Sequence, residues 1–519
     1  MAKKQNSSAR EIDLTSFDFA VYCGKCHPGG GPLEYDRKGN RYDLYAADPN
    51  NGITSGGENF FDGDYYKARW AATGVIEADC LLCHSPGYDI QERNAQIAQL
   101  NFKWAATAGS GVGSVKKRVR DGEHPVVRYN EDIFDAEGHI DVPIVKEVPV
   151  GNCLFCHRET DWKKKGTSYM PRFDVHLRAG MKCIECHPAG KNARDPRIST
   201  WEEHNFGKGD DPGSLVRDDL DDTVISCREC HAQGLNRAPV MRHASFSASG
   251  SFDAHSDAMS CQVCHVPDKA VKAALVQDST VFNPLPRVPK LKKIWSFYGP
   301  DAKPWNYYGE GDLGKQTDRP LFFYTPQLRR YKEKLYPVAG LYSIWYGLKN
   351  KDTPALDQVF MKDIYRMWTD ENSYPRLAAI TDDNGDGFIE INRPAEIDAA
   401  IDSMTSHLHT QGVLKNRQVV LVDGADVYLS AHENYTLTSR PFEYSPYGST
   451  FKLSHDIAPA GAALGAGGCS DCHQKDGPFF TRTYMVKPFD ASGAMVTRPA
   501  YRVLRYSEDD LEGLEAERQ

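Results

Sequence analysis

Seven times along the chain two cysteines stand three residues apart with a histidine directly behind them. The sets are Cys23 and Cys26 with His27, Cys80 and Cys83 with His84, Cys153 and Cys156 with His157, and Cys183 and Cys186 with His187. They continue with Cys227 and Cys230 with His231, Cys261 and Cys264 with His265, and Cys469 and Cys472 with His473. The seven copies use all 14 cysteines. A four-cysteine zinc site consumes C-x-x-C pairs two at a time, and an odd number of pairs does not divide that way. A thioredoxin-like dithiol occurs once and has no use for the trailing histidine. Covalent attachment of haem accounts for all three residues. Positions i and i+3 share one face of a helical turn, so two thiols reach the two vinyl groups of one porphyrin. The next residue then offers an imidazole to the iron. The pattern predicts seven covalently bound haem c groups.

A haem iron with one motif histidine keeps a second axial position. A second histidine there makes the haem a carrier of electrons, whereas an open position admits substrate. Ten histidines lie outside the motifs, three more than seven haems require. His176 lies seven residues before Cys183 and His255 six before Cys261, close enough to serve neighbouring haems. His124, His204, His243, His432 and His455 fall in loops beside the motifs or ahead of the seventh. Either His432 or His455 is the expected partner of His473. His139 sits at the tip of an expected hairpin and reads as solvent-exposed. His407 and His409 close an amphipathic helix, where a contact with the helix C-terminus explains them without ligation. Met241 is a weaker alternative ligand.

A second motif carries different chemistry. In "DDNGDGFIEINRP" (382–394), Asp382, Asn384, Asp386 and Gly387 match the first half of a calcium loop, with Ile389 at its apolar position. The twelfth position, where a bidentate Glu belongs, is Arg393, and Glu390 stands at the ninth. Two readings stay open: one structural Ca²⁺, or an Asx-type turn without metal.

The elements that must position these groups are short. Six motifs fall within 23–265, separated by turn-rich segments. "EYDRKGNRYD" (34–43) and "IFDAEGHIDV" (133–142) read as hairpins. A helix is expected over 89–104, with Ile97, Leu100 and Trp104 on one stripe. "GSGVG" (109–113) follows a helix rather than a strand and reads as a linker, not a phosphate loop. A cysteine-free stretch of 203 residues (266–468) then precedes the seventh motif. It opens rich in Pro and aromatics and continues into helical patterns at "LDQVFMKDIYRMW" and "PAEIDAAIDSMTSHL". The expected organisation is a tail (1–20), a six-haem domain (21–275), an aromatic and Pro-rich α-containing insert (276–450), and a last segment with the seventh haem (451–519). The insert reads as a cover and docking element.

Composition limits the partners. Hydrophobic residues make up only 40% of 519, and mean hydropathy is −0.56, lean for a chain this long. With 43 Gly and 30 Pro, the balance fits loops wrapped around rigid cofactors. The formal net charge of −9 argues against nucleic acid and for a basic docking surface on a protein partner. Basic runs at 115–120 and 290–293 read as solvated faces. No run of 18 apolar residues exists, so no transmembrane span is expected. Thioether attachment takes place outside the cytoplasm, which predicts a periplasmic or extracellular protein. The start shows no export signal, which is expected to have been removed or to lie upstream.

The phrases "DVHLRAGMKCIECH" (174–187), "HNFGKGD" (204–210), "AHSDAMSCQVCHVP" (254–267) and "SHDIAPAGAALGAGGCSDCH" (454–473) resemble multihaem c-type cytochromes of anaerobic respiration. They look like periplasmic cytochrome subunits that take electrons from membrane quinol oxidoreductases. They are distantly similar to the octahaem tetrathionate reductase and hydroxylamine oxidoreductase group. The resemblance implies a mainly α, loop-rich fold with a few short hairpins and the haem array as its core. It also implies redox partners: a quinol-linked donor and a downstream cytochrome or other acceptor. This chain departs from the enzymes of that group in having seven motifs rather than eight and no C-x-x-C-K. Three functions follow as expectations: an electron relay, a reductase of a sulfur or nitrogen oxyanion with one open haem, and a filament-forming cytochrome subunit.

Overall fold

The computed structural model describes residues 14–54, 63–157, 169–187, 224–241, 243, 251–271, 274–283, 296–304, 322–331, 333–370, 372–437 and 451–518. His204, the basic run at 290–293 and most of the aromatic segment 282–308 lie outside them. The chain divides into two compact units, one of residues 1–159 and 182–240, the other of residues 160–181 and 241–519. Five motifs fall in the first unit, and the sixth and seventh fall together in the second.

The first unit is built of short helices and turns. Its core gathers Phe19, Leu33, Tyr42, Trp70, Ile97 and Phe102, all buried, with Tyr42 stacked on Trp70 at 4.5 Å between ring centres. The helix Ile90–Ala98 starts at Asp89, whose carboxylate accepts the N–H groups of Gln91 and Glu92. It stops before Leu100, which turns into the left-handed region at φ 65°. Phe102–Trp104 follow as a separate 3-10 turn. The two expected hairpins shrink to one bridge each, Tyr35 with Arg41 and Phe134 with Ile140. In each, an aspartate fixes the turn: Asp36 accepts from Lys38 and Asn40 N–H, and Asp135 from Glu137 and His139 N–H. "GSGVG" leads into an antiparallel hairpin of Gly113–Lys116 and Val126–Tyr129.

The second unit overturns the expectation of a mainly α chain with the cofactor array as its core. Seven strands form one mixed sheet: β1 (Val276–Asp278), β2 (Ser296–Tyr298), β3 (Tyr342–Asn350), β4 (Leu356–Gln358), β5 (Arg417–Asp423), β6 (Asp426–Ser430) and β7 (Glu433–Thr436). Their order is β7-β6-β5-β3-β1-β2, with β4 paired to β3 on the same edge as β1. Only the β1–β3 pairing is parallel.

The physical reason is alternation. Ile344, Tyr346 and Leu348 on β3 and Val419 and Leu421 on β5 face one side, while Trp345, Val420 and Val422 face the other. The first face is covered by the helices Met361–Trp368 and Pro394–Thr410. Ile364, Met367 and Trp368 pack from one, and Ile397, Ala400, Ile401, Met404 and Leu408 from the other. This core is made of side chains and needs no cofactor. The second helix lies where the sequence pattern places it, whereas the first is helical only from Met361, its opening residues Leu356–Gln358 forming β4. Pro394 takes the first helical position, and the Glu396 carboxylate reaches back to the Arg393 N–H at 3.1 Å.

Candidate haem-attachment sites

Each motif folds as one tight turn. The histidine N–H donates to the carbonyl of the first cysteine at 2.9 Å for His27, 3.0 Å for His84, 2.9 Å for His187 and 2.7 Å for His473. The other three motifs lie wholly inside the helices Val150–His157, Cys227–His231 and Cys261–His265. This turn puts both thiols of a motif on one face, the arrangement that attachment of a flat ring requires.

Backbone carbonyls fix the rings of two motif histidines. His84 Nδ1 lies 2.7 Å from the Val145 carbonyl, and His231 Nδ1 lies 2.8 Å from the Pro239 carbonyl. A carbonyl fixes the proton on Nδ1 and leaves Nε2 as the nitrogen that binds metal.

The thiols differ in how the fold shifts them. Burial pushes Cys264 up to about 11, with Cys261 beside it adding to the effect. Burial and the neighbouring Cys264 push Cys472 up to about 12. Cys183 is shifted the other way, to about 7, by its hydrogen bond with Cys153 and the neighbouring His187.

The motifs are gathered rather than scattered. In the first unit Cys156 Sγ donates to the Cys26 carbonyl at 3.2 Å, joining the third motif to the first. Asn152, on the same helix as the third motif, donates its amide to the carbonyls of Leu82, Cys83 and Ser85 at 3.0, 3.2 and 2.8 Å. Its fourth-motif neighbour is Cys183, whose thiol hydrogen-bonds Cys153. The fifth motif joins through Ile225 N–H to the Cys186 carbonyl at 2.9 Å and Asn236 to the Glu185 carbonyl at 3.2 Å. In the second unit the strand of chain before the seventh motif runs along the sixth. Ala458 N–H donates to the His265 carbonyl at 2.7 Å and Leu464 N–H to the Cys264 carbonyl at 3.0 Å.

The non-motif histidines divide sharply. His255 Nε2 stands 3.4 Å from His473 Nε2, with ring centres 5.6 Å apart. His243 faces His265 with ring centres 6.3 Å apart and planes at 80°. His176 and His455 are half-buried on segments held side by side: Val175 N–H donates to the Ile457 carbonyl, and Ile457 N–H to Asp174, both at 3.0 Å. His432 is exposed at the turn between β6 and β7. His124 is exposed, and so is His139, whose Nδ1 lies 3.0 Å from Asp135. His407 is buried in the sheet unit's core, taking the Tyr374 hydroxyl at 3.0 Å on Nδ1. His204 lies outside the described residues.

Several positioning residues give no motif in the sequence. Arg93 is fully buried and donates to the carbonyls of Gly24 at 2.8 Å and His27 at 2.9 Å, bracketing the first motif. Its Nε lies 3.7 Å from Asp79, the residue before Cys80. Asp79 accepts from the Tyr88 hydroxyl and the Leu82 N–H. Burial raises the Asp79 carboxyl despite Tyr88 and Arg93, which pull it down. Asp471 accepts the N–H groups of Gly465 and Gly467, folding the glycine-rich approach to the seventh motif.

Asp382, Asp386 and Glu390 converge in the candidate calcium loop, one carboxylate oxygen of each within 4.8 Å of the others. Asn384 turns its amide nitrogen to Glu390 at 3.3 Å and to the Gly493 carbonyl at 3.1 Å. Arg393, at the twelfth position, pairs with Asp383 and Glu396 and caps the helix.

No family model matches the chain, and no curated protein or solved structure matches it either. Among the described residues, no helix is long and apolar enough to cross a membrane.

Proposed function

We propose that the chain is a seven-haem c-type cytochrome that relays single electrons from a quinol-linked membrane donor to a periplasmic or extracellular acceptor. The observation that carries this reading is the facing of His255 on His473, with His243 on His265 beside it. Two imidazoles bound to one iron from opposite sides stand about 4 Å apart, twice a metal–imidazole bond of about 2 Å. The His255–His473 pair, at 3.4 Å, is about 0.6 Å short of that separation. Haem c would supply reversible one-electron iron chemistry. The residues of this chain do the rest: the cysteines anchor, the motif histidines and their facing partners close the axial positions, and Arg93, Asn152 and Asp471 hold the motif backbones. The linked motifs in each unit support transfer between adjacent sites over short distances. The acidic balance of the chain suits docking to a basic face on a donor or acceptor.

One observation favours the reductase reading as the alternative. The first unit holds five motif histidines and only three others, His124, His139 and His204. Its own histidines therefore cannot close all five axial positions. Pyridine haemochrome assay and ferric EPR on the purified protein test both readings. Seven haems per chain with low-spin signals throughout support the relay. Strong high-spin signal with stoichiometric CO binding by the reduced protein replaces it with the reductase. A haem count near zero removes the cytochrome reading altogether.

A further inference from the structure

Acidic turns are common on protein surfaces, and Asp382 and Asp386 alone would form an ordinary one. Asp382 accepts the N–H groups of Gly385 at 2.7 Å and Gly387 at 2.8 Å, and Asp386 that of Phe388 at 2.9 Å. Glu390 changes the case. Its side chain comes in from below the turn and is only 1% exposed, and its Oε2 has no hydrogen-bond partner. Its other oxygen has only the Asn384 amide at 3.3 Å, and a buried carboxylate with one oxygen left unpaired is costly for a fold to carry. The neighbouring cation acts on it only through space, because the Arg393 guanidinium makes its contacts with Asp383 at 2.5 Å and Glu396 at 2.7 Å. Asp278, fully buried at the end of β1, is near enough to add to the acidic field on Glu390.

We infer that Asp382, Asp386 and Glu390 together bind one Ca²⁺, with Glu390 as the inner ligand that the loop's twelfth position does not provide. The donor set is all oxygen, which selects a hard cation over zinc. The carboxylate oxygens lie within 4.8 Å of one another. Oxygens about 2.4 Å from a shared Ca²⁺ span up to about 4.8 Å, so the three carboxylates can close on one ion, and the D-x-N-x-D-G order of the loop is that of a calcium turn. The ion has a structural task. The turn is tied to the chain after β1 by Asn283, which donates to the Ile389 carbonyl at 3.0 Å and accepts its N–H at 2.8 Å. It is tied to the loop at 490–493 by Asn384 and to the start of the helix Pro394–Thr410 by Arg393. Calcium at Glu390 fastens these three pieces at one end of the sheet. The site is independent of haem.

The exposed trio Asp135, Glu137 and His139 has no buried member and serves as the contrast. The test uses the full-length holoprotein, stripped with EGTA and titrated with CaCl₂ by calorimetry, alongside thermal melting followed by circular dichroism. One Ca²⁺ per chain and a raised melting temperature are expected. Glu390→Gln should weaken binding at least about tenfold. Without calcium it should melt no lower than the parent, since it removes a buried charge. Asp386→Asn provides a second weakened variant should Glu390→Gln not fold, and Asp135→Asn should titrate like the parent. Absence of heat and of any melting shift at millimolar calcium overturns the site. An unchanged affinity in both ligand variants, or an equal response to Mg²⁺, overturns the assignment as well.

Discussion

His255 and His473 are 218 residues apart in the chain, yet their Nε2 atoms stand 3.4 Å from each other. His473 belongs to the seventh motif, so on the proposed cytochrome reading His255 is the residue that would close its axial position. His255→Ala should convert one haem of seven from low to high spin in the ferric EPR spectrum, with haem content unchanged. His432→Ala, at an exposed turn, should leave the spectrum as it is. The reverse result would return His432 to the ligand role and remove His255 from it.

Arg93 is the second relationship that reaches across motifs, between the carbonyls of the first and the carboxylate ahead of the second. Arg93→Met leaves those carbonyls without a donor and Asp79 without its cation. Breaking a buried pair from one side costs about 3–5 kcal/mol. The expected outcome is a lowered melting temperature together with incomplete haem loading at the first two motifs, read by peptide mass spectrometry. Full loading at both with unchanged melting would show that Arg93 has no positioning role.

The part of the structure legible in sequence is the part written in local spacing. C-x-x-C-H closes its own turn, and the two helices of the sheet unit follow from apolar residues three and four apart. The sheet is the part that was missed. β1 and β2 are three residues each, too short to show a period, and β1 finds its parallel partner β3 more than 60 residues on. One signal was available. "VVLVDGADVYL" (419–429) sets an apolar run of β-branched residues ahead of a glycine turn and a second short strand pattern, and folds as the β5–β6 hairpin with Gly424 at φ 61° in the turn. The ligand pairs were beyond reach for a different reason. Which histidine faces which depends on segments such as 456–464 lying along 264–265, and nothing in the intervening residues records that contact.

Asp278 gives a pH dependence. Burial pushes its carboxyl up from the ordinary 3.8 to about 7, against the pull of the Thr280 hydroxyl and N–H. The unfolded chain loses that proton near 3.8 while the folded chain keeps it to about 7. Ionisation therefore weakens the fold as pH rises through that window, and the penalty is fully present above it. Asp278→Asn should raise the melting temperature at pH 8 and have little effect at pH 3.5, with the difference growing between. A constant difference across that range would exclude ionisation of Asp278 as its source.

Lys269 and Asp456 form the other buried pair, 3.1 Å apart with side chains 6% and 3% exposed. Burial acts on both toward neutrality, lowering Lys269 and raising Asp456, and their mutual attraction opposes it. Asp456 also accepts the Ala270 N–H at 3.0 Å. It sits between His455 and the Ile457–Ala458 segment that lies along the sixth motif, so the pair sets the approach of that segment. Lys269→Met should cost about 3–5 kcal/mol by leaving the carboxylate unpaired. Lys269→Met combined with Asp456→Leu should recover most of the stability, because two apolar groups replace two desolvated charges. The double variant should nevertheless shift the spectrum of the haem at His265, since the Ala270 contact that fixes residue 456 is gone. Recovery of stability with an unaltered haem spectrum would show that the pair serves packing alone.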